Sequence, residues 1–178
     1  VVVHCQNIAG MKRSGDPSTI DLRGLLIRVA KWAGFFYDTD ICVTKNPQSQ
    51  AIRTRSRKLQ FTGLEADRAQ SAPAFCDYLI KLRAPGVNEV PIRENPLTRN
   101  EWIDWAEGAW DWRSVRETDT LNTKEGKGED DTKHICPLQL PVIRRCVRLW
   151  SNPDEIVFSP FTGIGSEGYV SLLEGRRF

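Results

Sequence analysis

The stretch that most restricts how this chain can fold is its last one. It runs Asp154-Glu-Ile-Val-Phe158, Ser159-Pro-Phe-Thr162, Gly163-Ile-Gly-Ser-Glu-Gly168 and Tyr169-Val-Ser-Leu-Leu-Glu174. The order reads as a strand, a glycine loop and a helix. A buried parallel strand that delivers glycines to a helix N-terminus makes a backbone cradle for the anionic or polar parts of a nucleotide-like ligand. The acidic residue expected about twenty positions after the first glycine of such a fingerprint would fall past Phe178. The chain therefore reads as cut through a ligand site.

The rest of the pattern supports an α/β sheet. Val1–Cys5 reads as a central strand, and Phe35–Thr44 and Phe75–Leu82 as two more, rich in β-branched and aromatic residues. Between the first two, Ile20–Ala33 carries apolar residues at helical spacing and stops at Gly34, a good C-terminal cap. Pro141–Trp150 reads as a helix with proline in its first turn and an apolar stripe through Val142, Cys146 and Leu149. Arg113–Lys133 is the least hydrophobic stretch and predicts a mobile connection.

Composition excludes several classes. With 178 residues, 40% hydrophobic and 27% charged, the chain can bury a proper core and is not disordered throughout. A net charge of +2 says little about partners, so the distribution of charge matters more than its sum. The five cysteines form no C-x-x-C pair and are odd in number, which predicts reduced thiols that fill the core and no metal site. His4 and Cys5 at a strand end are read as packing, since no third partner stands at metal-like spacing. No apolar run is long enough to cross a membrane and no signal peptide is recognisable, so a cytoplasmic location is expected.

Two local concentrations stand out. Lys45–Lys58 contains Lys45, Arg53, Arg55, Arg57 and Lys58, with no acidic residue before Glu65. If extended, it projects Arg53, Arg55 and Arg57 from one face at a spacing suited to successive phosphates. The alternative is a solvated loop whose arginines pair with nearby carboxylates. Glu101–Trp112 holds four of the six tryptophans, Trp102, Trp105, Trp110 and Trp112. Their spacing predicts packing against the domain body, with stacking on unpaired bases as the alternative.

The glycine loop alone has G-x-G-x-x-G spacing, which also fits a nicotinamide or flavin enzyme. Its setting is more selective. Pro160-Phe161-Thr162-Gly163-Ile-Gly165-Ser166, preceded by His134-x-x-Pro137 and a helix, resembles the S-adenosylmethionine-binding region of the DNA adenine-N6 and cytosine-N4 amino-methyltransferases. The family's motif is typically D-P-F-x-G-x-G-[ST], and Ser159 stands where it usually has Asp. Along the chain, Val1–Cys5, Asp21-Leu-Arg-Gly24 and Ile41-Cys-Val-Thr-Lys45-Asn-Pro47 resemble successive elements of the permuted β arrangement, in which the catalytic tetrapeptide comes first and the cofactor motif last.

The resemblance implies an α/β fold: an incomplete, Rossmann-like, S-adenosylmethionine-dependent methyltransferase sheet with an inserted target-recognition region. Residues 1–44 and 134–178 would belong to the methyltransferase core, and 45–133 would hold the recognition region and the mobile connection. Phe161, Thr162, Gly163, Gly165 and Ser166 would enclose the methionine part of the cofactor, with His134, Cys136, Pro137 and Leu138 as the opposite wall. Double-stranded DNA would meet Lys45, Arg53, Arg55, Arg57 and Lys58. The family's [DNS]-P-P-[YFW] tetrapeptide, whose aromatic ring stacks on a flipped base, is missing, because the chain has no Pro-Pro pair. No catalytic residue is therefore assigned, and the chain is expected to be inactive alone. The strand carrying that tetrapeptide would lie between Val1–Cys5 and Glu155–Phe158, so a rearranged sheet, strand exchange between two copies or a loosely ordered end is expected. Two rivals remain: a nicotinamide-dependent oxidoreductase fragment and a non-enzymatic DNA-binding module.

Overall fold

The computed structural model describes residues 1–9, 18–54, 59–93, 97–122 and 137–178. These residues form two compact units, one of Val1–Val87 with Glu107–Trp112 and the other of Asn88–Ala106 with Arg113–Phe178.

The first unit is built on a mixed sheet. Its strands are β1 (Val2–Gln6), β4 (Phe36–Val43), β5 (Asp77–Arg83) and β6 (Ala109–Trp110), in the order β1-β5-β4-β6. A separate two-stranded ribbon pairs β2 (Ile8–Ala9) with β3 (Thr19–Ile20). Strand β5 runs antiparallel to both neighbours, placing Val3 opposite Ile80 and Ile41 opposite Leu79, so β1 and β4 point the same way with a reversed strand between them. Helix α1 (Leu22–Trp32) links that parallel pair. It starts where the Asp21 carboxylate accepts the Gly24 N–H. It ends where Gly34, at φ 90°, turns the chain so that Phe35 N–H donates to the Ala30 carbonyl. Leu22, Leu26, Ile27 and Ala30 of α1 pack on buried Cys5, Ile80 and Leu82.

Among the described residues, the strand expected at Val1–Cys5 stands at the end of the sheet, in keeping with the expected absence of its neighbour. Strand β1 pairs with β5 on one side, and its other side has no partner strand among the described residues. A continuous apolar run signals burial of faces, and says nothing about pairing of edges. Beyond β4, helix α2 (Pro47–Thr54) is capped by Asn46, whose side-chain oxygen accepts the N–H groups of Gln48 and Ser49. Gln50 of α2 bonds both backbone groups of Phe75 and so fastens the helix beside the start of β5. Helix α3 (Phe61–Ala66) and a single 3-10 turn at Arg68–Gln70 complete the unit.

The second unit packs helices α4 (Arg99–Trp105), α5 (Leu140–Trp150) and α6 (Ser166–Leu173). Its core joins Ile143 and Val147 of α5 to Val170 of α6, with Leu138 and Leu140 packed against them. The buried stripe of α5 thus falls on Val142, Ile143 and Val147, while Cys146 and Leu149 are only half-buried. Buried Arg176 donates from Nε to Ser151 Oγ at 3.1 Å and from a terminal nitrogen to Ser151 O at 2.6 Å, locking the end of α5 to the exit of α6.

Two expectations change in this unit. The strand expected at Asp154–Phe158 is reduced to one parallel bridge, Ile156 with Arg177. Ile156 and Phe158 are exposed, so the burial expected for the strand is absent. The expected mobile connection, Arg113–Lys133, carries Val115 fully buried near its start, and its positions from 123 onward lie outside the described residues.

Candidate functional site

The glycine loop behaves as its sequence requires. Gly163 and Gly165 take φ values of 51° and 87°, in the left-handed region that glycine enters at little cost. Gly165 N–H donates to the Thr162 carbonyl at 2.7 Å, and Gly165 O receives Tyr169 N–H at 2.8 Å, so the turn runs straight into α6. Gly165 is the helix N-cap and offers no side chain, so the first-turn N–H groups, at the positive end of the helix, have no side-chain cap among the described residues. Among the described residues a Cβ on Gly165 would meet nothing within 4 Å, which leaves space over the turn there. Gly168 has a different task. A Cβ there would lie 2.9 Å from the Phe178 ring, so this glycine lets α6 approach the segment that follows it.

Ser166 is the informative residue. It is 2% exposed, and its hydroxyl finds no hydrogen-bond partner among the described residues. An orphaned buried hydroxyl costs roughly 1–3 kcal/mol, so it calls for an explanation. Ser171, five residues along the helix and away from the loop, is orphaned as well. Ahead of the loop, Ser159 Oγ accepts the Phe161 N–H at 3.3 Å, a local turn that presents the Phe161 ring to solvent at 84% exposure.

The structure brings Leu138 close to α6 through their shared core and describes half-buried Pro137 next to it. His134 and Cys136 lie outside the described residues, as do Arg55, Arg57 and Lys58. Arg53 sits on helix α2, so the extended geometry that would align three arginines does not hold at that position. Lys45 is engaged elsewhere. Its ammonium lies 2.5 Å from buried Asp77, which also accepts from His4 Nε2 at 3.0 Å and from Gln6 Nε2 at 3.0 Å. Burial pushes the Asp77 carboxyl up, but the His4 hydrogen bond and the Lys45 charge outweigh it and hold it below the usual carboxylate range.

The sequence reading passed over Asp77. The signal was a lone acidic residue opening the apolar run Tyr78-Leu-Ile80. Asp77 lies beside the end of β1 and just before the Lys45 turn at the end of β4, so the cluster occupies the carboxyl edge of that parallel pair. The tryptophans mostly pack, as expected: Trp110 is buried in the first unit, and Trp105 in the second under the guanidinium groups of Arg145 and Arg148 at 5.5 and 5.2 Å. Trp102 does not, and is 59% exposed. Among the described residues no group of three or more His, Cys, Asp or Glu could hold a metal. Burial and contact with Cys76 push the Cys42 thiol up to about 12, which makes it a poor nucleophile.

The mixed sheet of the first unit, with a reversed strand between two parallel ones, and the left-handed glycine turn that opens a helix in the second are those of an α/β protein. Residues 7–178 match the N6_N4_Mtase model, described as DNA methylase, and the chain belongs to that family. No curated protein matches it significantly. TTHA0409 of Thermus thermophilus, a candidate DNA modification methylase solved in complex with S-adenosyl-L-methionine, is 19% identical, with a TM-score of 0.69 over 99% of this chain and 60% of that one. A selenomethionine derivative of the same protein gives a TM-score of 0.67 at 18% identity, over 99% of this chain and 59% of that one. At such identity the likeness establishes the fold, and this chain spans about three fifths of the length of those structures.

Proposed function

We propose that this chain holds the S-adenosylmethionine site of an enzyme that methylates the exocyclic amine of adenine (N6) or cytosine (N4) in double-stranded DNA. The observation that carries the reading is the buried, unpartnered Ser166 hydroxyl beside two left-handed glycines at the N-terminus of α6. The residues fit the cofactor: backbone N–H groups at the positive helix end suit its carboxylate, the open space at Gly165 admits close approach, and the Ser166 hydroxyl supplies a waiting donor or acceptor. Phe161, Thr162, Gly163, Gly165 and Ser166 would hold the methionine part, with Pro137 and Leu138 on the other side. When bound, the cofactor supplies the methyl group. The complex of TTHA0409 with S-adenosyl-L-methionine supports the same ligand class. Arg53, Arg55, Arg57 and Lys58 are the cations proposed to face DNA, and Lys45 contributes by fixing the start of α2 through Asp77.

Calorimetric titration with S-adenosylhomocysteine and, separately, NAD tests the reading. Saturable binding of the first and none of the second is expected; the reverse would reassign the site to a nicotinamide cofactor. Ser166→Ala is expected to weaken S-adenosylhomocysteine binding about fivefold, the worth of roughly 1 kcal/mol for one hydrogen bond. Its thermal midpoint should be unchanged or slightly raised, because the deleted hydroxyl has no partner among the described residues. A lowered midpoint with unchanged affinity would show that the hydroxyl serves packing instead.

A further inference from the structure

Cys42 and Cys76 meet on the sheet of the first unit. Cys42 of β4 stands opposite Tyr78 of β5, and Cys76 lies two residues before that tyrosine, so both side chains leave the sheet on one face as diagonal neighbours. Their thiols share a hydrogen bond that helps keep the proton on Cys42. Both residues are half-buried, whereas Cys5, opposite Tyr78 on β1, is buried. Filling a core requires neither the opening to solvent nor the contact between two sulfurs, so the pair is explained by reactivity more than by packing. Diagonal neighbours sit roughly 7–8 Å apart, and a disulfide spans about 4.4–6.8 Å between Cα atoms. Cys76 stands one residue ahead of β5, whose pairing with β1 and β4 begins at Asp77, so closing the remaining gap leaves those strand pairs in place.

We propose that Cys42 and Cys76 form a dithiol site that a hydroperoxide converts into an intramolecular disulfide without disturbing the fold. Because Cys42 holds its proton, Cys76 is the sulfur that attacks first. It takes one peroxide oxygen and becomes a sulfenic acid, and the other oxygen leaves as water. The Cys42 sulfur then attacks the sulfenic sulfur, the S–O bond breaks, and the Cys42 proton departs with the hydroxide as a second water. Two electrons pass from the sulfur pair to the peroxide. The new bond lands between Phe75, whose backbone is tied to Gln50 of α2, and Asp77, which holds Lys45. It therefore closes residues 43–75, with Lys45 and α2 among them, into one covalent loop.

Stoichiometric hydrogen peroxide on the reduced 178-residue chain, followed by alkylation, digestion and mass spectrometry without reduction, tests it. The expected product is a pair of peptides joined through Cys42 and Cys76, lighter by two hydrogens than the separate thiol peptides and parted by dithiothreitol. The oxidised chain should melt several degrees higher, because the crosslink restricts the unfolded chain, and should return to its first midpoint on reduction. In Cys42→Ser, peroxide should leave a sulfenic acid on Cys76 that dimedone captures, and Cys5→Ala should oxidise as wild type does. Recovery of both Cys42 and Cys76 as alkylated thiols after peroxide would overturn the proposal. So would a bond from either of them to another cysteine, or a linked chain that melts lower than the reduced one.

Discussion

Asp77→Asn lowers the free energy of unfolding by about 3–5 kcal/mol, the usual loss when one partner of a buried ion pair is removed. The substitution keeps the shape of the side chain and deletes its charge. The Lys45 ammonium, whose side chain is only 12% exposed, is then left beside a neutral amide, and the bonds from His4 and Gln6 weaken with it. Denaturant unfolding should show a lower midpoint at an unchanged slope. A shift worth less than about 1 kcal/mol would mean that water reaches Lys45 and that the pair is effectively a surface one. The pH dependence has a definite sign. Because the folded carboxyl titrates below its ordinary value, its stabilisation is complete above the unfolded carboxylate range and is lost as pH falls through the lower folded value. The gap between wild type and Asp77→Asn should therefore be full at neutral pH and close below about pH 4.

Gly165→Val should reduce S-adenosylhomocysteine affinity by at least tenfold, a loss of about 1.4 kcal/mol or more. At φ 87° a β-branched residue is a steric outlier, and even an ordinary L-residue there costs roughly 1–2 kcal/mol. The chain relieves that strain by rotating the turn, which re-aims the first N–H groups of α6, and the added side chain fills the space kept open above them. The helix itself should persist, because Val170 is buried against α5 and Gly168 still meets Phe178. Gly175→Val provides the control. Gly175 has φ 75° at the far end of the same helix, where Gly175 N–H reaches Leu172 O and Arg176 N–H reaches Ser171 O. It should lose comparable stability with no change in affinity. Equal loss of affinity in both variants would show that backbone strain alone, and not the geometry of the loop, weakens binding.

Much of the fold was legible because it rests on local rules. Asp21 and Gly34 bracket α1 as cap chemistry requires, and β4 and β5 fall within a residue or two of their β-branched runs. The glycine loop was legible for the same reason, since left-handed φ values are nearly private to glycine. Pairing was not legible. That β5 reverses between β1 and β4 depends on pairings between residues 34 to 79 positions apart. Lys45 shows the limit most clearly: its charge is visible in the sequence, but its pairing with Asp77 depends on where β5 comes to rest. Periodicity likewise gave Trp102 and Trp105 one shared face, and the arginines of α5 then covered only the second of them.

The two flanks of the glycine loop are held unequally. On the far side, α6 is packed through Val170, and Arg176 rivets its exit to the end of α5. On the near side, Asp154 and Val157 are bonded to Gly175 and Arg177, while Phe161 is held by the hydroxyl of Ser159, two residues back. Counting the described residues, a ligand seated here would meet one well-packed wall and one held by fewer bonds. Ordering the second wall costs about 1–2 kcal/mol for each residue fixed, which subtracts from affinity and eases departure. If the site holds the proposed cofactor, that imbalance would bear on its release rate as much as on its binding strength.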